Sequence, residues 1–274
     1  SADQLHICYL QARNLKYAYD DRGMYPHGRL SGFLEDYFLH KVRLWDASAS
    51  HRPNRTISNS LYVSKWHYHR HRIQTDIIYP PVDVEHYSRN YSETKKDYFL
   101  TVGRLEPYKR TDLIVQAFNE LGYPLIIAGS GTEMERLKKM AKPNISFLGF
   151  QSKQEIADLT RFAKAFVFAA CEDFGIAPLE AQASGTPIIA FGKGGALETI
   201  RGLESTAPTG VFFDSQDVEG LISGVETFLA NSSKISPEAC RANALRFSEG
   251  RFREEFESYV AKCLKEFFGS SVCK

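Results

Sequence analysis

The chain has 274 residues, 43% of them hydrophobic and 24% charged, with a net charge of +1 at pH 7. That length fits two ordinary globular domains, and the charge balance excludes a strongly basic nucleic-acid footprint, so no nucleic-acid partner is expected. No apolar run approaches the ~20 residues that span a bilayer, and no leader-like stretch opens the sequence given. Five cysteines (Cys8, Cys171, Cys240, Cys263, Cys273), odd in number and without a Cys-x-x-Cys pair, point to reduced thiols in a cytoplasmic compartment.

In chain order, Leu5–Leu10 reads as a short strand, 11–30 as a loop rich in Tyr, Arg and Gly, and Ser31–Trp45 as an amphipathic helix. Residues 55–60 read as a strand entering a helix capped by Asn59 or Ser60, and Thr75–Tyr79 as another short strand. Three weak strands in about 90 residues make a poor α/β domain, because such a sheet needs both faces covered. The polar stretch Asp83–Lys96, after Pro80-Pro81, reads as a linker.

From Asp97 the pattern becomes regular. Strands are expected at Tyr98–Val102, Pro124–Ala128, Ile145–Leu148, Ala165–Phe168, Pro187–Ala190 and Val211–Phe213. Helices are expected at Thr111–Leu121, Thr132–Ala141, Ser152–Phe162, Ala177–Ser184 and Val218–Leu229, with two more at Pro237–Ser248 and Phe252–Phe268. Alternation of this kind implies right-handed crossovers and a parallel sheet. The expected division is 1–90 as an N-terminal lobe, 97–250 as a complete Rossmann-like domain, and 251–274 as a terminal helix.

Ligands of such sheets bind at the carboxyl ends of the strands. The loop after the first regular strand, Gly103 to Arg110, carries Arg104, Lys109 and Arg110, cations suited to phosphate oxygens. A solvated basic loop is the bland alternative. Gly129-Ser130-Gly131-Thr132 is a turn opening a helix, which lets backbone approach a phosphate or merely turns tightly. After the fourth strand, Cys171-Glu172-Asp173-Phe174-Gly175-Ile176-Ala177-Pro178-Leu179-Glu180 places Glu172 in a loop and Glu180 in the next helix, with Pro178 at its first position. Carboxylates do not bind phosphate, so Glu172 and Glu180 are candidate acceptors for sugar hydroxyls beside a diphosphate.

These residues resemble the retaining family-4 glycosyltransferases of GT-B fold, within them most the bacterial mannosyltransferases of surface-polysaccharide synthesis. The matching pieces, in family order, are Tyr79-Pro80-Pro81-Val82-Asp83, Val102-Gly103-Arg104-Leu105 with Lys109, Ala128-Gly129-Ser130-Gly131, Glu172-x7-Glu180, and Ser184-Gly185-Thr186-Pro187. The resemblance extends from about Ile57 to Phe228.

It implies an α/β, GT-B-like fold with a complete Rossmann-like C-terminal domain and an incomplete N-terminal lobe, the last helix crossing back to that lobe. It also implies transfer of a hexose, mannose from GDP-mannose as first choice, to a glycan or lipid-linked acceptor. No metal and no separate cofactor are expected. By resemblance, Arg104 and Lys109 neutralise the donor diphosphate with Gly103 beside them, and Glu180 holds the ribose. Glu172 contacts the sugar, Phe174, Gly175 and Ile176 lie near sugar and phosphate, and Gly149 and Phe150 lie near the base.

In the first half, Lys16-Tyr17-Ala18-Tyr19-Asp20 and Leu44-Trp45-Asp46 resemble late N-domain segments, but Gln11-Ala12-Arg13-Asn14 lacks the family's histidine. The expectation is a fragment or module, or a short form completed by a partner domain or subunit. The alternative function is a nucleotide-sugar-binding module without activity of its own. Lys65 to Arg72 mixes bases and aromatics on a helix. It reads as a solvated basic face with Trp66 or Tyr68 packed inward, or as peripheral contact with the inner face of the cytoplasmic membrane.

Overall fold

The structure is a computed structural model that describes residues 4–13, 16–19, 29–89 and 94–269. Asn14 and Asp20 of the sequence reading, and residues 90–93 of the expected linker, lie outside the described residues. The chain packs as two units, Ser1–Pro80 with Gly250–Lys274, and Pro81–Glu249.

The first unit holds β1 (Ile7–Leu10), α1 (Lys16–Tyr19), α2 (Arg29–Ala49), β2 (Arg55–Ser58), α3 (Leu61–His71) and β3 (Asp76–Ile77). The three strands form one parallel sheet in the order β1-β2-β3. The expected loop 11–30 thus holds a short helix, and the strand expected at Thr75–Tyr79 shrinks to two paired residues. Ser60 caps α3, its Oγ accepting from the Val63 amide at 3.1 Å. The basic face expected on α3 is partly turned inward. His67 and His71 are buried, and Trp66 packs edge-on against Tyr19 at 5.7 Å. The terminal helix, described last below, belongs to this unit from Gly250 onward. Its Phe252 and Phe256 pack on Tyr9, and Tyr259 donates to Asp76 at 2.7 Å.

The second unit opens with α4 (Val84–Ser88), β4 (Phe99–Val102), α5 (Thr111–Leu121), β5 (Leu125–Ala128), α6 (Met134–Met140) and β6 (Ile145–Gly149). It continues with α7 (Lys153–Phe162), β7 (Ala165–Phe168), α8 (Ile176–Ala183), β8 (Ile188–Phe191), α9 (Ala196–Thr199), β9 (Gly210–Phe213), α10 (Val218–Asn231) and α11 (Pro237–Leu245). The helix α12 (Glu249–Gly269) follows.

Six parallel strands run in the order β6-β5-β4-β7-β8-β9. Counted within the sheet this is 3-2-1-4-5-6, the doubly wound order whose switch point lies between the first and fourth strands. Side chains alternate between faces with period two. Phe99, Val167, Ile189 and Phe191 therefore join one core, with Leu113, Phe118, Leu221 and Phe228 of the helices. Leu100, Phe166, Phe168 and Ile188 join another, with Ala181 and Ile200. Both faces are covered, which is why these strands read as unbroken apolar runs.

The polar stretch expected as a linker is in part structure. Asp83 caps α4, accepting from the His86 amide at 3.1 Å, and the one-turn spacing of Val84 and Tyr87 buries both side chains.

Candidate functional site

At the switch point, β4 and β7 pair only through Phe99↔Ala165 and Leu100↔Phe166, and then part. The loops leaving their carboxyl ends flank a small recess lined by Val102, Arg104, Lys109, Phe168 and Ala170. This is the crevice where the topology places a ligand.

Lys109 ends a 3-10 turn, Pro107–Lys109, and its Nζ donates to Glu172 Oε1 from the opposite loop. The two side chains are about one-fifth exposed, so the pair is partly screened and open to competition by a ligand. Arg104 is exposed, and its guanidinium donates to the Tyr108 hydroxyl at 2.8 Å. Arg110, the third cation of the loop, pairs with Asp112 at 3.3 Å and adopts a left-handed conformation between the turn and α5. Two of the three cations thus flank the crevice.

The loops are held by close backbone approach. A Cβ on Gly129, whose φ is +135°, would overlap the Gly103 carbonyl oxygen. The turn 129–132 is used for this packing and for binding Glu106, whose carboxylate accepts from the Thr132 hydroxyl at 2.9 Å. The helix expected from Thr132 begins only at Met134 and lasts seven residues. On the other side, the Gly195 amide donates to the Glu172 carbonyl at 2.8 Å, and a Cβ there would overlap Phe174.

The helix after Glu172 starts earlier than expected. Gly175, with φ +92°, is the cap residue and α8 begins at Ile176, so Pro178 is its third residue rather than its first. Proline is tolerated there because the first four amides have no intrahelical acceptor. Phe174 and Gly175 are buried, and Ile176 is 47% exposed.

Glu180 has different company from Glu172. Its carboxylate accepts from the Tyr87 hydroxyl, and burial raises its pKa above the usual glutamate value, partly offset by that bond and by Lys153. Lys153 in turn bonds Asp83, the cap of α4. Beside this group, His86 Nε2 is buried without a partner. Tyr87 and Tyr108 were not among the sequence candidates. Their positions, four residues after the capping Asp83 and one before Lys109, were the only available signal. Gly149 has φ +68° at the end of β6, and Phe150 beyond it is 83% exposed.

Comparison with known proteins decides the family. Residues 83–247, more than half of the chain, match the family described as glycosyl transferases group 1. The chain belongs to that family. It is 25% identical over 224 residues to a D-inositol 3-phosphate glycosyltransferase of Mycolicibacterium paratuberculosis, covering 73% of this chain and 50% of the relative. It is 27% identical over 213 residues to a lipopolysaccharide core biosynthesis mannosyltransferase of Rhizobium meliloti, covering 72% and 59%. The chain spans about half the length of the curated relatives it matches.

Among solved structures, sucrose-phosphate synthase from Thermosynechococcus elongatus is similar with a TM-score of 0.74 at 18% identity, covering 98% of this chain and 68% of that one. HepE of Anabaena, in complex with UDP and glucose, is similar with a TM-score of 0.70 at 17% identity, covering 93% and 71%. These likenesses establish the fold of this group 1 glycosyltransferase as α/β of the GT-B type. Among the described residues no helix is long and apolar enough to cross a membrane, and no group of three His, Cys, Asp or Glu side chains could hold a metal ion.

Proposed function

We propose that this glycosyltransferase moves a hexose, with mannose from GDP-mannose as first choice, from a nucleotide-sugar to a glycan or lipid-linked acceptor. The observation that carries the reading is the Lys109–Glu172 pair across the switch-point crevice, in a chain of this family. The preference for mannose rests on likeness to the R. meliloti mannosyltransferase. A second support is a GDP-mannose-dependent mannosyltransferase of Corynebacterium glutamicum, 33% identical over 134 residues.

In this reading an entering diphosphate competes with Glu172 for the Lys109 ammonium, and Arg104 supplies the second cation. As the bond from the sugar's anomeric carbon to the phosphate oxygen breaks, its electron pair goes to that oxygen. The two cations stabilise the growing charge. The acceptor hydroxyl attacks the same face and passes its proton to the departing phosphate, which retains configuration. This assigns the leaving-group work to side-chain cations and needs no metal. Glu172, released from Lys109, accepts from a sugar hydroxyl. Glu180 accepts from the ribose, and the exposed Phe150 ring lies against the base, with Gly149 turning the chain beside it. The backbone of Gly103, Phe174, Gly175 and Ile176 lies near phosphate and sugar.

Calorimetric titration with GDP, UDP, ADP and CDP, without added metal, tests the donor site. Binding of one diphosphate, GDP first, is expected, and binding of none removes the reading. One second reading is a donor-binding module acting with a partner, since the residues lining the crevice all lie in the second unit. Nucleotide binding without donor hydrolysis or transfer would select it.

A further inference from the structure

The second unit holds a polar cluster that the donor reading uses only in part. Glu180 of α8, Tyr87 of α4, the α4 cap Asp83 and Lys153 of α7 come together there. Lys153 is the first residue of α7, four positions beyond the end of β6 at Gly149. Its charge favours the ionised form of Glu180. The Glu180 carboxylate therefore lies toward the carboxyl edge of the sheet, where such folds take their ligands.

Tyr87 is tied to α8 twice. Its hydroxyl donates to the Glu180 carboxylate, and its carbonyl accepts from the Ser184 hydroxyl at 3.3 Å. The same Ser184 hydroxyl lies 3.2 Å from the Glu180 carbonyl. Residues 180 and 184 are one helical turn apart, so the side chain and main chain of one tyrosine straddle a turn. A helix of five residues is not held by its own hydrogen bonds. Packing holds it instead: Val84 is 4% and Tyr87 5% exposed.

Packing alone does not require the hydroxyl. A phenylalanine would fill the space between α4 and α8 equally well, and a buried hydroxyl costs free energy unless it is bonded. What the hydroxyl adds acts on Glu180. A buried carboxylate without partners takes up a proton and then offers fewer acceptor sites. A neutral donor favours the ionised form without neutralising it, unlike the Lys109 ammonium on Glu172. An ionised carboxylate has about four lone-pair sites, so one bond from Tyr87 leaves capacity for a ribose diol.

We propose that Tyr87 is a positioning residue for the donor's ribose. Its hydroxyl orients the Glu180 carboxylate and keeps it an acceptor, and so sets the preference for ribose over a sugar lacking those hydroxyls. The proposal rests on the reading in which Glu180 accepts from the ribose.

The test is calorimetric titration of the 274-residue chain and of Tyr87→Phe with GDP and with 2′,3′-dideoxy-GDP, which lacks both ribose hydroxyls. The parent should bind GDP about tenfold or more tighter than the dideoxy ligand, as for hydrogen bonds to a charged group. In Tyr87→Phe that gap should shrink to about threefold or less. GDP affinity should fall while dideoxy affinity stays at the parent's. Val84→Ala loosens the same helix without touching the hydroxyl. It should melt lower than the parent and keep the parent's gap. Equal weakening of both ligands by Tyr87→Phe, an undiminished gap in that variant, or an equal loss of the gap in Val84→Ala overturns the inference. A parent that binds both ligands alike also overturns it, and leaves the diphosphate site standing. A parent that binds neither removes the donor reading and the inference with it.

Discussion

Lys109 and Glu172, 63 positions apart, meet across the two loops that leave β4 and β7, and the ammonium of one bonds the carboxylate of the other. The cation proposed for the donor diphosphate is thus held by the carboxylate proposed for the donor sugar. Each is the other's competitor until a donor separates them.

Lys109→Ala should therefore weaken nucleoside diphosphate binding by about ten- to a hundredfold, the worth of a charge-assisted hydrogen bond. Its effect on stability should stay under about 1 kcal/mol, because a partly exposed ion pair contributes little. Calorimetry and thermal melting separate the two effects, and equal losses would mark a structural lysine.

Glu172→Gln keeps the side chain's shape but releases Lys109 from its ionic partner. Diphosphate affinity should be preserved or increased, while sugar transfer falls by about a hundredfold or more. A variant that binds GDP more weakly than the parent, or transfers sugar at the parent rate, contradicts the assignment.

Glu180 makes the stability of the second unit depend on pH. Burial raises its folded pKa above the unfolded value near 4.5, so the folded state favours the protonated form. Its contribution to stability is fullest below about pH 4.5 and declines as pH rises through the raised folded pKa. Glu180→Gln should then melt higher than the parent at pH 7, with the difference vanishing toward pH 4. The same variant should bind GDP more weakly, by about tenfold for one lost hydrogen bond.

The first unit should show the opposite dependence. His67 has a folded pKa near 4 against 6.5 in the unfolded chain, and burial lowers that of His71 as well. Their contribution is fully present above pH 6.5 and is lost as pH falls toward about 4. His67→Phe should flatten that slope in melting curves taken from pH 7 to pH 4. An unchanged slope would show that the burial of His67 is not felt in solution.

Gly129→Ala places a methyl group against the Gly103 carbonyl in a backbone region that L-residues rarely adopt. A loss of about 2 kcal/mol or more is expected from strain and overlap together. Denaturant unfolding measures it, and a near-neutral change would mean the two loops move apart freely.

Much of the second unit was legible because its signals are local. The strand Ala165–Phe168 and the helix Thr111–Leu121 have the expected bounds, since a strand covered on both faces is an unbroken apolar run and a surface helix repeats every turn. The errors were local as well. Pro178 reads as a helix start, but the left-handed Gly175 turns the chain into the helix two residues earlier. The stretch 84–88 looked polar, yet two well-spaced apolar side chains suffice to seat a short helix. In the first half, weak strands and a polar α3 concealed that His67 and His71 point inward.

By itself, the sequence determined the alternation of strands and helices, the loops that carry the chemistry, and the residue types available in them. Backbone preference and periodicity act within one turn or one strand, and those are visible in a window of a few residues. Only the tertiary structure decided which of these residues meet. The sheet order 3-2-1-4-5-6 makes β4 and β7 neighbours although two strands intervene in sequence, and that alone brings Lys109 to Glu172. The packing of α4 on α8 likewise gives Glu180 the Tyr87 hydroxyl, and the seating of α2 beside α3 encloses His67 with Asp46. Contacts between distant segments are set by the packing of whole elements, and no local pattern records them.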